Sequence, residues 1–186
     1  MVQPEEQWQE TKRYFARVVD GLGTHIDPKI MDTVVAFNVV GIRTVASCAG
    51  HLDRAAPYPW IDLEPAPVTE LSQMIVRLLH AGKRDAPETE QLQHQRRLLY
   101  LDVEQKVIAL LNAFYQQHQM DYDRHLIIWR FSNGMPRLQS HGAAYQEFRT
   151  REERTAKLAE YQDEMQAFAA YLKALFFSGK DVSPSA

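Results

Sequence analysis

The segment LIIWRFSNGMPRLQSH, residues 126–141, contains the strongest local structural signal in the chain. Two runs of alternating residues lie on either side of Asn133-Gly134, and Asn-Gly between such runs is typical of a type I′ β-hairpin turn. Alternation also means that successive side chains point to opposite faces of a sheet. The segment therefore predicts an antiparallel pair of strands with one face toward a hydrophobic core.

A two-residue turn at Asn133-Gly134 determines which residues of the two strands lie opposite one another. It places Arg130 opposite Arg137 and Trp129 opposite Leu138. In this register, the residues expected to face the core are Ile127, Trp129, Phe131 and Leu138. The two arginines would repel each other on the opposite face, so each needs an anion. That anion is either a carboxylate from a neighbouring helix or the phosphate or carboxylate of a ligand.

Helices and further strands are indicated on both sides of this hairpin. Apolar residues recur at helical spacing in residues 4–21, 28–41, 68–79, 87–119 and 158–176. The clearest helix start is Asp27-Pro28, a capping carboxylate followed by proline at the first helical position. β-branched or alternating residues at 42–47 and 58–63 predict two more strands. We therefore expect an α+β fold, with a mixed or antiparallel sheet of about four or more strands packed against several long helices.

Composition limits the class of protein. With 186 residues, 45% hydrophobic and 24% charged, the chain is long enough for one sizeable core, so we expect a single domain over residues 1–186 with a polar tail at 178–186. The net charge of -3 disfavours a protein that coats nucleic acid through bulk charge. Cys48 is the single cysteine, which excludes an intramolecular disulfide. Residues 147–164 mix acidic and basic side chains, which is typical of a solvated helix face.

The expected location follows from what the sequence lacks. The first residues have neither the basic region nor the apolar region of a signal peptide. The apolar runs are far shorter than the ~20 residues that a membrane-spanning helix needs. We expect a cytoplasmic protein that makes no membrane contact.

The loop after the first predicted strand carries Ser47-Cys48-Ala49-Gly50-His51, which brings a hydroxyl, a thiol and an imidazole close together in the chain. Imidazole can accept a thiol proton, so Cys48 and His51 are candidates for nucleophilic catalysis. The same pair could be half of a metal site, although a tetrahedral site needs further ligands. The alternative is structural: a small buried cysteine beside a histidine that caps the turn.

The run Tyr58-Pro59-Trp60-Ile61-Asp62 belongs to the next predicted strand. Trp60 and Asp62 share one face of it, and together they offer a stacking surface and a hydrogen-bond acceptor to a flat, polar ligand. Because this strand is expected to pair with the strand before it, Asp62 would lie near Cys48 and joins Cys48 and His51 as a catalytic candidate. A core tryptophan is the alternative reading of Trp60.

Residues 25–51 also resemble a known family. They run from His25 through a helix capped by Asp27 to an asparagine, Asn38, and then to a strand that ends in Ser-Cys-Ala-Gly-His. This pattern is similar to the opening of the wybutosine-synthesis tRNA methyltransferase family, the third enzyme of that pathway, which has Ser-Cys-x-Gly-Arg at the strand end. His51 stands where the family has arginine. The resemblance implies S-adenosylmethionine as a cofactor, bound near Ser47, Cys48 and Gly50, and tRNA as a partner.

These observations support two function hypotheses. The first is a small-ligand or nucleotide-binding protein, of which an S-adenosylmethionine-dependent, RNA-modification-like methyltransferase is the most specific form. The residues expected to bind the ligand are Ser47, Cys48, Gly50, His51, Trp60, Asp62, Arg130 and Arg137. The alternative is a non-enzymatic interaction module whose long helices, residues 88–119 and 145–177, mediate self-association or partner binding, with Cys48 in a structural turn.

Overall fold

The computed structural model describes residues 3–53 and 56–179 and contains five α-helices and one four-stranded sheet within them. In chain order these are α1 (Pro4–Phe15), α2 (Pro28–Val39), β1 (Thr44–Cys48), β2 (Trp60–Leu63), α3 (Ala66–His80), α4 (Pro87–Tyr115), β3 (Leu126–Arg130), β4 (Pro136–Ser140) and α5 (Arg151–Ser178). Two 3-10 helices, Tyr122–Arg124 and His141–Phe148, precede and follow the β3–β4 hairpin. The predicted α+β class is confirmed. No helix in this part of the chain is long and apolar enough to cross a membrane.

All neighbouring strands of the sheet are antiparallel, in the order β1-β2-β4-β3. One face is the inner face, where Ile61, Leu63 and Leu138 are fully buried. These side chains form a single hydrophobic core with residues of the helices, among them Phe37, Val107 and Phe168. Trp60 and Asp62 lie on the opposite, outer face of β2, as the alternation of this strand predicts.

The unit formed by α2 and β1 begins where the sequence predicts. Asp27 accepts a hydrogen bond from the backbone N–H of Lys29 (2.9 Å), and Pro28 is the first helical residue. After α2, Gly41 adopts a left-handed backbone conformation (φ +81°) that turns the chain into β1. Because the chain reverses here, the start of α2 lies beside the end of β1.

The predicted register of the β3–β4 hairpin is wrong by one residue. The backbone N–H of Gly134 donates to the carbonyl of Phe131 (2.9 Å), and Gly134 is left-handed (φ +87°), so the loop has three residues instead of two. Trp129 therefore lies opposite Arg137, and Arg130 lies opposite Pro136. A shift of one residue moves side chains to the other face. Trp129, expected in the core, is 50% exposed.

The same shift changes which hairpin residues reach the core. Leu138 is buried there as expected, and Leu126 and Ile128 take the places predicted for Ile127 and Trp129. Phe131 lies instead against the guanidinium of Arg137, 4.5 Å from its ring centroid. Arg130 and Arg137 are consequently not neighbours across the hairpin.

Candidate functional site

The loop that follows β1 is tightly held by the protein itself. Gly50 is buried and left-handed (φ +85°), and a Cβ at this position would lie 2.6 Å from Leu158 Cδ1 and 2.7 Å from the carbonyl carbon of Tyr58. The side chain of Gln162 on α5 donates a hydrogen bond to the carbonyl of Ala49 (2.7 Å). The absence of a side chain at Gly50 therefore lets the loop pack closely against two parts of the protein, the segment that leads into β2 and helix α5.

His51, at the end of this loop, lies against the start of α2. Its Nε2 is 3.3 Å from Oδ2 of Asp27, and both side chains are about one quarter exposed (28% and 24%). The other carboxylate oxygen of Asp27 caps the helix. One carboxylate thus begins α2 and orients the imidazole, as a carboxylate does for a histidine that accepts or donates protons. Sequence reasoning identified Asp27 only as a helix cap.

Cys48 is half-buried and pairs across the sheet with Trp60. Its thiol accepts a hydrogen bond from the backbone N–H of Gly50 (Sγ–N 3.4 Å). The imidazole of His51 makes its polar contact with Asp27 instead. Among residues 3–53 and 56–179, no group of three or more His, Cys, Asp or Glu side chains is arranged to hold a metal ion.

Asp62 and Arg137 form a buried, two-pronged ion pair on the outer face of the sheet. Arg137 donates from Nε and Nη2 to the two carboxylate oxygens of Asp62 (2.6 and 2.9 Å). The guanidinium also stacks on Trp60, 3.6 Å from the ring centroid. The fold thus brings Trp60, Asp62 and Arg137 together as predicted, but their contacts are with one another.

Arg130 lies elsewhere and pairs with Glu104 of α4 (2.5 Å). Each of the two arginines therefore has a carboxylate partner inside the protein. For Arg130 the partner comes from a helix, which is the first of the two alternatives expected from the sequence. For Arg137 it comes from the neighbouring strand.

A cleft of about 410 Å³ opens between α1, α2 and α5. Its lining consists of Trp8, Pro28, Lys29, Asp32, Thr33, Gln166, Ala169, Ala170 and Lys173. Pro28 directly follows Asp27, and Gln166 lies one helical turn beyond Gln162, which holds the Ala49 loop. The cleft therefore begins one residue from Asp27, but none of the predicted ligand-binding residues lines it: Ser47, Cys48, Gly50, His51, Trp60, Asp62, Arg130 and Arg137.

Trp8 forms the buried floor of this cleft. The ammonium group of Lys173 lies over its ring, 4.5 Å from the centroid. The lining contains one carboxylate, that of Asp32, which pairs with Lys12 (2.7 Å). Its two positively charged residues are Lys29 and Lys173. The small side chains of Ala169 and Ala170 leave the space open. The sequence carries only a weak signal for the cleft, namely the adjacent small residues Ala169 and Ala170 of α5.

A buried polar cluster that sequence reasoning missed centres on Glu164 of α5, whose side chain is fully buried. Tyr115 donates a hydrogen bond to Glu164 (2.8 Å) and accepts one from the backbone N–H of Leu126 (2.7 Å). Burial, together with the hydrogen bond to the carboxylate, raises the pKa of Tyr115 far above its ordinary value. His118 lies 3.3 Å from the same carboxylate.

A second cluster lies beside it around Asp123 of the first 3-10 helix. Asp123 accepts hydrogen bonds from Arg149 (2.6 Å) and Tyr161 (3.0 Å) and pairs with Lys157 (3.1 Å). The prediction of a solvated face at residues 147–164 is therefore wrong for Lys157 and Glu164, which turn inward, whereas Tyr161 belongs to the predicted apolar stripe of α5 and is buried. The evident effect of the first cluster is to hold the end of α4 and the start of β3 against α5, and that of the second is to hold the first 3-10 helix there.

Compared with known proteins, the chain matches no family model, no curated protein and no solved structure. The resemblance of residues 25–51 to the wybutosine-synthesis methyltransferases stays a prediction. Two elements on which it depends are present in the fold: a helix capped by Asp27, and a strand that ends in Ser47-Cys48.

Proposed function

We propose that the protein binds a small anionic ligand with a planar ring, such as a nucleotide, in the cleft between α1, α2 and α5. The observation that carries the proposal is the position of this cleft, whose lining includes Pro28, the residue that follows Asp27 of the His51–Asp27 pair. Its volume of about 410 Å³ lies within the range of small-molecule sites.

The charges around the cleft favour an anion. Lys29 and Lys173 put two full positive charges in its lining, whereas the first N–H groups of α2, those of Lys29 and Ile30, already donate to Asp27. Asp32 opposes these charges, but its carboxylate is paired with Lys12. A phosphate or carboxylate in the cleft is therefore attracted by these two lysines.

Trp8 gives the cleft a partner for a flat ring. Lys173 covers this ring, but it is an exposed lysine, so its ammonium group can move onto a bound anion and uncover the indole. The ligand class that fits combines an aromatic ring with an anionic group a few ångströms away.

The most specific form of the proposal is an S-adenosylmethionine-dependent enzyme that modifies RNA. Its support is the resemblance of residues 25–51; S-adenosylmethionine is a net cation, but its adenine ring and its carboxylate are the two features for which the cleft offers partners. His51, held by Asp27, is the group suited to move a proton beside such a ligand. In this form tRNA is the partner.

The three tryptophans of the chain occupy different places and make the proposal testable by fluorescence. Trp8 is in the cleft, whereas Trp60 and Trp129 are on the outer face of the sheet. Titration of ATP, AMP and S-adenosylmethionine into the Trp60→Phe/Trp129→Phe variant reports on the cleft alone, and titration into Trp8→Phe reports on the sheet alone. We expect a saturable change only where Trp8 remains. A response confined to Trp60 and Trp129, or no response to any of the ligands, would contradict the proposal.

Calorimetry on charge variants tests the anion site separately. Lys29→Ala and Lys173→Ala should each weaken binding by about 10-fold or more, because a hydrogen bond to a charged group contributes ~1.5–3 kcal/mol. Lys83→Ala, in the connection between α3 and α4, is the matched control and should bind like the parent. Equal affinities in all four proteins would show that the ligand is held elsewhere.

A further inference from the structure

Helix α4 has two apolar stripes, of which the core uses only one. The inward stripe contains Val103, Val107, Leu110, Leu111 and Phe114, all buried. On the opposite side Leu98, Leu101 and Ile108 are 53%, 40% and 41% exposed. A surface helix ordinarily has polar and charged residues on the face away from the core. The outward leucines and isoleucine therefore need another explanation.

These three residues belong to a regular seam along the helix. Steps of three and four residues connect Gln91, His94, Leu98, Leu101, Gln105, Ile108 and Asn112, and every one of them is exposed. At a rise of about 1.5 Å per residue, the seam is about 32 Å long. Alternating steps of three and four are the spacing with which one helix packs along another. We call these seven residues the outward seam.

The outward seam contains no Asp, Glu, Lys or Arg. Of the charges on its flanks, Asp102 pairs with Lys106 (2.8 Å) and Glu104 pairs with Arg130, and the exposed Glu90 and Arg97 beside its first turns have opposite signs. A strongly acidic or basic partner would therefore find no excess of complementary charge here. A seam of this kind is compatible with a copy of itself, because apolar residues pack on apolar residues and amides such as Gln105 and Asn112 both donate and accept hydrogen bonds.

We propose that a second copy of this chain docks on the outward seam, so that two α4 helices pack about a two-fold axis. The outward seam does not contribute to the cleft, so this proposal stands or falls independently of ligand binding.

Sedimentation equilibrium of the full chain tests the proposal. The parent should be a dimer that dissociates on dilution. Leu101→Glu/Ile108→Glu should raise the dissociation constant at least about 100-fold, because two apolar side chains that become buried in the dimer are replaced by charges. Val76→Glu is the matched control: Val76 is an equally exposed apolar residue (48%) on the neighbouring helix α3. That variant should dimerise like the parent.

Three results would overturn the proposal. The parent could remain a monomer at all concentrations, the Leu101→Glu/Ile108→Glu variant could dimerise like the parent, or Val76→Glu could abolish the dimer equally. Far-ultraviolet circular dichroism of each variant keeps the test valid, because all the substituted residues are exposed and the helical signal should not change.

Discussion

Gly50 and Gly41 both have left-handed backbones, but only Gly50 is crowded. An added Cβ at Gly41 meets nothing within 4 Å, whereas at Gly50 it would approach Leu158 and the backbone of Tyr58 to less than 3 Å. Gly41→Ala should therefore cost only the backbone strain, about 1 kcal/mol of unfolding free energy, while Gly50→Ala adds a steric penalty of about 1–3 kcal/mol. Urea denaturation of the two variants measures the difference.

Equal losses of stability in the two variants would show that the loop can move away from Leu158. In that case Gly50 would matter only for its backbone angle. A larger loss at Gly50 would mean that the Ala49–His51 loop is fixed by packing, and that His51 is presented to Asp27 by a rigid turn.

The Asp62–Arg137 pair should be the most sensitive ion pair on the sheet. Both side chains are largely buried (6% and 16% exposed), so removing one partner leaves a charge without compensation. We expect Arg137→Met to cost about 3–5 kcal/mol in thermal or chemical unfolding. The exposed pair Arg151–Asp53 is the control, and Arg151→Met should cost less than about 1 kcal/mol. Similar costs at both positions would show that water reaches Asp62.

At the scale of whole elements, Asp123 connects the first 3-10 helix to α5. Burial alone would raise the pKa of Asp123, but hydrogen bonds from Arg149, Lys157 and Tyr161 outweigh it and hold the pKa below its ordinary value. A carboxyl with a lowered folded-state pKa adds stability that is complete above its unfolded pKa, near 4, and is lost as the pH falls through the folded pKa.

Asp123→Asn should therefore destabilise the protein by about 2 kcal/mol at neutral pH and by progressively less below about pH 4. The measurement is the free energy of unfolding of parent and variant between pH 7 and pH 2. Asp102→Asn, which changes an exposed carboxylate within α4, should leave the curve close to that of the parent. A constant difference between Asp123→Asn and the parent across this range would exclude the lowered pKa.

The sequence predicts the elements of this fold better than their exact pairing. Asp27-Pro28 and the apolar stripes locate the helices because capping and periodicity are local properties. The hairpin register depends on whether Gly134 ends a two-residue or a three-residue loop, and both are compatible with Asn-Gly before the strands are packed. A two-residue loop would turn Trp129 toward the core, whereas the three-residue loop of the structure turns it outward.

The candidate site was predictable only in its loop. Ser47-Cys48-Ala49-Gly50-His51 stands out because unusual side chains are adjacent in the chain. The Asp27 contact and the cleft combine α1, α2 and α5, which are distant in sequence, so no local pattern indicates them. Arg137 likewise finds its carboxylate on a strand 75 residues away.

In the molecule as a whole, α3 stands apart from the main core. Val68, Leu71 and Ile75 are buried, yet the core that joins the sheet to α1, α2, α4 and α5 contains none of them. They pack in the hairpin of α3 with the first half of α4, where the hydroxyl of Thr89 closes the connection on the carbonyl of Lys83 (2.7 Å). Segments with few contacts to a core open at lower free energy than the core itself. We therefore expect one domain with two cooperative units.

Native-state hydrogen exchange on paired isoleucine variants distinguishes two units from one. Ile30 of α2 belongs to the main core and Ile75 of α3 does not, although both are buried. Ile30→Ala should lower the protection of α2 amides by about 2–5 kcal/mol and leave α3 amides unchanged, because α3 opens without disturbing Ile30. Ile75→Ala should lower the protection of amides in both α2 and α3. The contacts of Ile75 are lost when α3 opens locally, and they are lost again when the whole molecule unfolds. If Ile30→Ala lowers the protection of α3 as much as that of α2, then α3 unfolds only together with the whole molecule, and its separation from the core has no energetic meaning.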